Sequence, residues 1–364
     1  MQIQQLGIQE RNRWDSFVAQ EPQFALMQSW DWGVFKEKLG WKAFRIAVEE
    51  GSRIVAGAQM LIKPLPTGIA SVAYIPRGPV GNWLDEGILP ALLDALHRLA
   101  RSHCAIFLKI EPPLLNDPAI DQILQQHQLK PSAFTNQPRT TIILNLDQSL
   151  DDLSLQMRKK TRQYIRRAEH EGIIVRRGGQ EDLPAFYELM QKTGQREHFT
   201  TRRREFYEHE LLTLTKSTPT VLLMAYLQDK LLAVRTAHCF GGHAAEFHAG
   251  SADGIEDLHP NYLLVWEAVK WAKAQGCCTY DLWGIPDEIG PMISAGDDPP
   301  ASNRTDGLWG VYRFKSGFGK NIVSYIGAYD HIYYPIFNSL ANLKISKGNP
   351  LDRLSAWLDS FRFG

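Results

Sequence analysis

"VLLMAYLQDKLLAVRTAHCF" (221–240) sets two apolar runs on either side of a polar turn, the pattern of a β-hairpin turning at Asp229. The segments C-terminal to this hairpin decide the fold. "AAEFHAGS" (244–251) reads as a third strand, "NYLLVWEAVKWAKAQG" (261–276) as an amphipathic helix closed by Gly276, and "TYDLWGIP" (279–286) as a strand stopped by Pro286. The same order occurs earlier. "KAFRIAVEEGSRIVAGAQMLIKP" (42–64) is a hairpin with Gly51 at its turn, and "IASVAYIP" (69–76) is a strand. A helix over 85–103 comes next, with Leu89, Leu92, Leu93, Leu96 and Leu99 on one face, and then the strand "AIFLKIEP" (105–112). Hairpin, strand, helix, strand thus appears twice at similar lengths, an internal repeat without strong residue identity. Two mixed α/β halves account for 364 residues, a length beyond one ordinary core.

Composition narrows the class. Hydrophobic residues make up 44% and charged residues 22%, which suits globular burial. Formal net charge is +0, so any polyanion must meet a local patch rather than a global field. Cys104, Cys239, Cys277 and Cys278 show no CxxC spacing and read as free thiols in a reducing compartment. "MQIQQLGIQERNRW" lacks the basic start and apolar run of a signal peptide. No apolar stretch approaches the ~20 residues that span a bilayer. The expectation is a soluble, cytoplasmic protein.

The local patch lies between the halves. "DQSLDDLSLQMRKKTRQYIRRAEHEG" (147–172) reads as a helix capped by Ser149 or Asp151 and ending near Gly172. Leu153, Met157, Tyr164 and Ala168 follow helical spacing, and Arg158, Arg162 and Arg166 recur every four residues. With Lys159, Lys160 and Arg167 they form a run without an acid, either a solvated face or a grip on phosphate. Further on, "MISAGDDPPASNRTDG" (292–307) reads as a mobile loop. It precedes "GVYRFKSGFGKNIVSYIG" (310–327), which read alone is two strands joined by a loop, with Lys315 and Lys320 in water. The segment 335–364 reads as helical, docked on the protein, with membrane contact left open.

Several blocks carry a resemblance to the Fem family of non-ribosomal aminoacyltransferases (FemA, FemB, FemX). They are "QSWDWGVFKEKLGW" (28–41), "YIPRGPV" (74–80), "MRKKTRQYIRRAEHEGI" (157–173), "NYLLVWEAVKWAKAQG" (261–276), "YDLWGIP" (280–286) and "GVYRFKSGFGKNIVSYIGAYD" (310–330). Their number and order, rather than any one of them, make the likeness. It implies an α/β fold of two tandem GNAT-like acyltransferase domains, without the helical arm that some members insert. Domain 1 would comprise 1–148 plus 326–364, and domain 2 would comprise 149–325. The implied reaction passes an amino acid from aminoacyl-tRNA to the amine of a peptidoglycan precursor, UDP-linked or lipid-linked. That places the chain in cell-wall biogenesis, and so in the maintenance of cell shape, with peripheral membrane contact through a lipid-linked acceptor.

Such chemistry needs a neutral amine, a nearby ester carbonyl and a cation or N–H at the oxyanion. It needs no cofactor, metal or covalent enzyme intermediate. Lys36 resembles a lysine that contacts acceptor phosphate, and Arg77 lies in the matching "YIPRGPV" block. Arg203 and Tyr207 resemble an arginine–tyrosine pair at the nucleotide, with Arg204 and Arg202 as alternative registers. Phe314 and Lys315 resemble the Phe-Lys pair of the transfer centre, where Lys315 would face the oxyanion and Gly317 and Gly319 would let substrate approach the backbone. Compact relatives carry tyrosines near the acceptor where this chain has Glu246 and His248. His248 is therefore a candidate hydrogen-bond partner or proton acceptor, or else an ordinary strand histidine. Asp281 is either catalytic or the cap of a backbone turn. His238, His243 and His248 lie five apart on strands, which does not make a zinc site. Arg158, Lys159, Lys160, Arg162 and Arg166 would hold the tRNA backbone.

Two other classes stand beside this reading. A CoA-dependent N-acyltransferase would need a pyrophosphate loop of the form [Q/R]-x-x-G-x-[G/A] at a helix N-terminus. Neither "RGPVGN" (77–82) nor "HAGSADG" (248–254) has that arrangement. A non-catalytic binding module for RNA or cell-wall precursor is the other.

Overall fold

The computed structural model describes residues 1–66, 68–115, 117–297, 304 and 306–334. It divides into two compact units, the first comprising 1–137 and the chain from Tyr325 onward, the second Pro138–Ser324. Each is built on one mixed sheet.

In the first unit the strands run in the order Gln2–Gln5, Lys42–Glu50, Arg53–Pro64, Ser71–Pro76, Ala105–Glu111, Tyr329–Ile332, Lys130–Pro131, with Val80–Gly81 paired to Arg53–Pro64. In the second the order is Ile322–Ser324, Thr140–Asn145, Thr279–Gly284, His243–Ser251, Lys230–Phe240, Thr220–Leu227, Ile173–Arg177. Each sheet holds a single parallel pair among the described residues, Ser71–Pro76 with Ala105–Glu111 and His243–Ser251 with Thr279–Gly284. A parallel pair needs a crossover connection. The helices Ile88–Ser102 and Pro260–Ala274 supply it, and they are the two helices of the sequence repeat. Both hairpins also form where the sequence places them, with Gly51 at φ +60° in the first turn and Gln228 at φ +53° in the second.

Burial explains the periodicities. Leu89, Leu92, Leu93, Leu96 and Ala100 put one helix face on the first sheet, and Leu263, Leu264, Ala268, Val269 and Ala272 do the same on the second. Each fully buried leucine contributes about 2 kcal/mol of transfer free energy.

Three expectations change. The strand Thr140–Asn145, on the first-domain side of the expected boundary, pairs with Thr279–Gly284 and Ile322–Ser324 in the second sheet. The 147–172 segment is two helices, Leu150–Gln156 and Lys159–His170, rather than one. Ser149 caps the first by accepting from the Asp152 N–H at 3.1 Å. The break falls at Met157 and Arg158, both extended, because the Arg158 N–H donates to the Gly317 carbonyl (2.9 Å) instead of continuing the helix. Third, Trp309–Lys315 is a helix, so Phe314 and Lys315 stand on its last turn rather than beside a loop between strands. A short helix, Ile289–Ser294, also occupies the start of the segment read as a loop. Residues 298–303 and 305 of that segment, and 335–364, read as helical, lie outside the described residues.

Candidate active site

The second unit holds a cleft of about 490 Å³, lined by Arg235, Glu246, His248, Trp283, Phe314 and Lys315 among others. Two backbone irregularities shape it. Between Lys230–Phe240 and His243–Ser251 the register jumps from Arg235↔Ala249 to Ala237↔Glu246. Phe247 and His248 therefore bulge opposite Thr236, and the His248 N–H donates to Thr236 Oγ1 (3.1 Å) rather than to the ladder. Bulges of this kind re-aim side chains beside functional sites. The second irregularity is Trp283, held at φ +64°, a left-handed conformation that strains a bulky residue. Asp281 holds that turn, accepting from the Trp283 N–H (2.7 Å) and from the Thr141 hydroxyl. Of the two readings of Asp281, the cap is the one the geometry shows.

The turn brings the Gly284 carbonyl to Lys315, whose ammonium donates to it at 3.0 Å. Lys315 is 8% exposed. Its Nζ lies 3.8 Å from Glu246 Oε1, while Glu246 Oε2 pairs with Arg235 Nη1 at 2.6 Å and accepts from the Tyr280 hydroxyl at 3.3 Å. Two cations thus share one buried carboxylate. Burial pulls the Lys315 pKa down to about 8, with Glu246 opposing and Arg235 adding to the shift. Near neutral pH the ammonium is charged, and this buried positive charge stands at the wall of an open cleft. Arg235 Nε is buried without a hydrogen-bond partner among the described residues, a donor on the same network. The Phe314 ring lies 6.0 Å from the Arg235 guanidinium and packs edge-on against Tyr262 (4.7 Å) and Phe318 (5.4 Å).

His248 also lines the cleft, its Nε2 2.7 Å from Glu210 Oε2. His238, on the neighbouring strand, lies 3.7 Å from Oε1 of the same carboxylate, whereas His243 bonds Thr279 elsewhere. Gly317 and Gly319 serve packing instead of substrate approach: a Cβ at Gly317 would lie 2.3 Å from Thr161 Oγ1, and one at Gly319 would lie 2.4 Å from Leu144 Cδ2.

The second unit's other candidates are not among the residues that line this cleft. Arg203 is exposed ahead of the helix Arg204–Leu214, and Arg204 pairs with Glu208 at 2.6 Å. Tyr207 is buried, its hydroxyl accepting from the Arg202 N–H at 3.2 Å, and burial raises its pKa to about 12. Lys36 and Arg77 belong to the first unit. Lys36, on the helix Trp30–Glu37, is 1% exposed, its ammonium 5.5–5.8 Å from the rings of Trp32, Phe35 and Trp41. Arg77 is buried at φ +49°, its guanidinium 4.8 Å from the Tyr325 ring. On the basic helix, Arg158, Lys159, Lys160 and Arg166 are exposed. Arg162 is partly buried, and its Nη1 donates to the carbonyls of Ser154 (3.3 Å), Leu155 (3.0 Å) and Met157 (2.6 Å), closing the preceding helix.

Sequence reading missed Arg235 and Glu210. Arg235 carried a usable signal, a charge inside the apolar hairpin strand "LLAVRTAHCF", where burial demands a partner. Glu210 carried none, being one of several acids in "REFYEHEL".

Comparison with known proteins decides the family. The model of the FemAB family matches residues 10–235 and 222–344. The chain belongs to the FemAB family. A lipid II:glycine glycyltransferase of Staphylococcus aureus is 25% identical over 406 residues, spanning 91% of this chain and 93% of the relative. A solved structure of FemX, 23% identical, covers 93% of this chain and 99% of its own with a TM-score of 0.80. A tandem GNAT protein from the clavulanic acid biosynthesis pathway, 13% identical, covers 91% and 98% with a TM-score of 0.56. The FemAB chain has the tandem GNAT-like fold, and its two sheets are the two repeats. Among its described residues no helix is long and apolar enough to cross a membrane.

Proposed function

We propose that the cleft of the second unit joins an amino acid, carried as an ester on tRNA, to the amine of a lipid-linked muropeptide. The chain is an aminoacyltransferase of peptidoglycan-bridge synthesis. The donor, the acceptor's carrier and the residue roles are the proposed part. The lipid-linked acceptor is supported by the relative named for lipid II.

One observation carries the reading: a buried, charged lysine at the wall of an open cleft, held by Glu246 and a carbonyl rather than neutralised by its own ion pair. As the amine attacks the ester, negative charge grows on the carbonyl oxygen. A preorganised donor there contributes about 3 kcal/mol to the barrier reduction. Lys315 supplies it, Phe314 walls the pocket, and His248 takes a proton from the amine. Lys36, Arg77, Arg203, Arg204 and Tyr207 are assigned to the acceptor's phosphates and nucleotide or carrier by resemblance. Arg158, Lys159, Lys160 and Arg166 offer exposed charge to the tRNA backbone.

The test is direct. The purified chain is incubated with charged tRNA pools and lipid-linked or UDP-linked muropeptide, and separately with acetyl-CoA and amines. Amide formation from charged tRNA supports the reading. Transfer from acetyl-CoA alone contradicts it, and binding of both partners without turnover favours a binding module.

A further inference from the structure

Behind the cleft lies a cluster that transfer by Lys315 leaves unexplained. Glu210 is 0% exposed on the helix Arg204–Leu214, with one oxygen 2.7 Å from His248 Nε2 and the other 3.7 Å from His238 Nε2. A carboxylate without solvent is costly unless hydrogen-bonded donors face it. His238 is fully buried, and burial pulls its pKa down to about 4, so it stays neutral at working pH. Its Nδ1 lies 3.0 Å from Thr220 Oγ1. His248 differs. Its side chain is 17% exposed at the cleft, its Nε2 is taken by Glu210, and its Nδ1 makes no hydrogen bond among the described residues.

We propose that Glu210 is a positioning residue for aminoacyl transfer: it holds His248 in the tautomer with the proton on Nε2, leaving the Nδ1 lone pair to take the proton from the attacking amine. This rests on the reading of the cleft as the transfer centre. A carboxylate accepts and cannot donate, so the ring nitrogen beside it carries the hydrogen and the opposite nitrogen is the base. This is the division of labour by which a buried carboxylate orients a catalytic imidazole.

The step balances without a co-reactant. The amine nitrogen bonds to the ester carbonyl carbon, and one N–H proton passes to Nδ1. The carbon–oxygen bond to the ribose then breaks. The departing oxygen takes the proton back from Nδ1, yielding amide and free hydroxyl. The oxyanion formed in between faces Lys315.

Charged and titratable groups surround the imidazole. Glu210 and Tyr207 face it from one helix and His238 from the neighbouring strand, while Arg235, Glu246, Lys315, Arg196, Glu197 and His198 line the same cleft. Of these, Glu210 is the one within hydrogen-bond distance of the ring.

Glu210→Gln is the test variant, assayed for transfer from charged tRNA. The expected result is a kcat lowered tenfold or more with both KM values within about twofold. A wild-type kcat, or a loss carried by KM instead of kcat, overturns the proposal. If Glu210→Gln does not fold, wild-type enzyme labelled with 15N-histidine decides, with His248 assigned by its absence in His248→Asn. A protonated Nε2 and bare Nδ1 support the proposal, and the reverse tautomer overturns it. The labelling experiment needs no substrate. Absence of transfer from tRNA in the wild type would thus overturn the reading of the cleft, while the tautomer still reports on the pair.

Discussion

Two of the lysines buried on this repeated scaffold, Lys109 in the first unit and Lys315 in the second, are treated in opposite ways. In the first unit Lys109 is 0% exposed and fully answered: Asp330 lies 2.9 Å away, and the ammonium also donates to the Ser132 hydroxyl and the Phe134 carbonyl at 3.0 Å. In the second, Lys315 has one carbonyl and a carboxylate at 3.8 Å that already serves Arg235 at 2.6 Å. A closed ion pair with its hydrogen bonds filled contributes to structure and offers nothing to a ligand. An ammonium that shares its counter-ion beside a cleft retains charge for a developing oxyanion. The repeat therefore supplies one fold twice, and the placement of the carboxylate distinguishes the two lysines; on the proposed reading the second unit's does the chemistry.

Replacing each lysine tests that contrast most severely. Lys315→Ala is expected to lower the transfer rate on the order of 10²–10³-fold, the scale for one oxyanion donor, with little change in urea midpoint. Rapid-quench measurement of amide formation reads it. Lys109→Met should do the reverse. Removing one partner of a buried pair costs about 3 kcal/mol. The urea unfolding midpoint should therefore fall while kcat per folded molecule holds. Loss of turnover in Lys109→Met without loss of stability would break the comparison.

A smaller effect separates the cations of the basic helix. Arg158, Lys159, Lys160 and Arg166 are exposed, whereas Arg162 closes the Leu150–Gln156 helix through three carbonyls. Arg162→Ala is expected to cost about 1 kcal/mol of stability and to leave the salt dependence of tRNA binding almost unchanged. Neutralising Arg158 and Arg166 together should flatten that dependence measurably, read by filter binding across a salt series. Equal slopes in both variants would return the helix to a solvated face.

Much of the architecture was legible because it rests on local pattern. The hairpins, the crossover helices with leucines at helical spacing, and the strands ended by Pro76 and Pro286 all announce themselves within a short window. What failed depends on partners distant in sequence. The 147–172 helix breaks because Arg158 bonds Gly317, and Gly317 is glycine because Thr161 comes so close; neither shows in a local window. The helix Trp309–Lys315 was hidden by the aromatics and glycines beside it, which mimic strand and turn. In the site, Phe314, Lys315 and His248 were legible by resemblance and share one cleft. Glu210 and Arg235 meet them only in tertiary structure, where the bulge at Phe247 and His248 offsets the strand register by one residue. Lys36 was singled out by resemblance within its block, but its burial among aromatic rings needs tertiary structure.

If the charge on Lys315 enters the transition state, the alkaline limb of single-turnover transfer reads it. Burial sets the Lys315 pKa at about 8, so the rate at saturating substrates should fall as pH rises through that value and the ammonium is lost. Glu246 opposes that downward shift, so Glu246→Gln should move the limb to lower pH. Lys315→Arg, which keeps its charge throughout, should abolish the limb even at reduced rate. One alkaline limb common to wild type, Glu246→Gln and Lys315→Arg would contradict the claim.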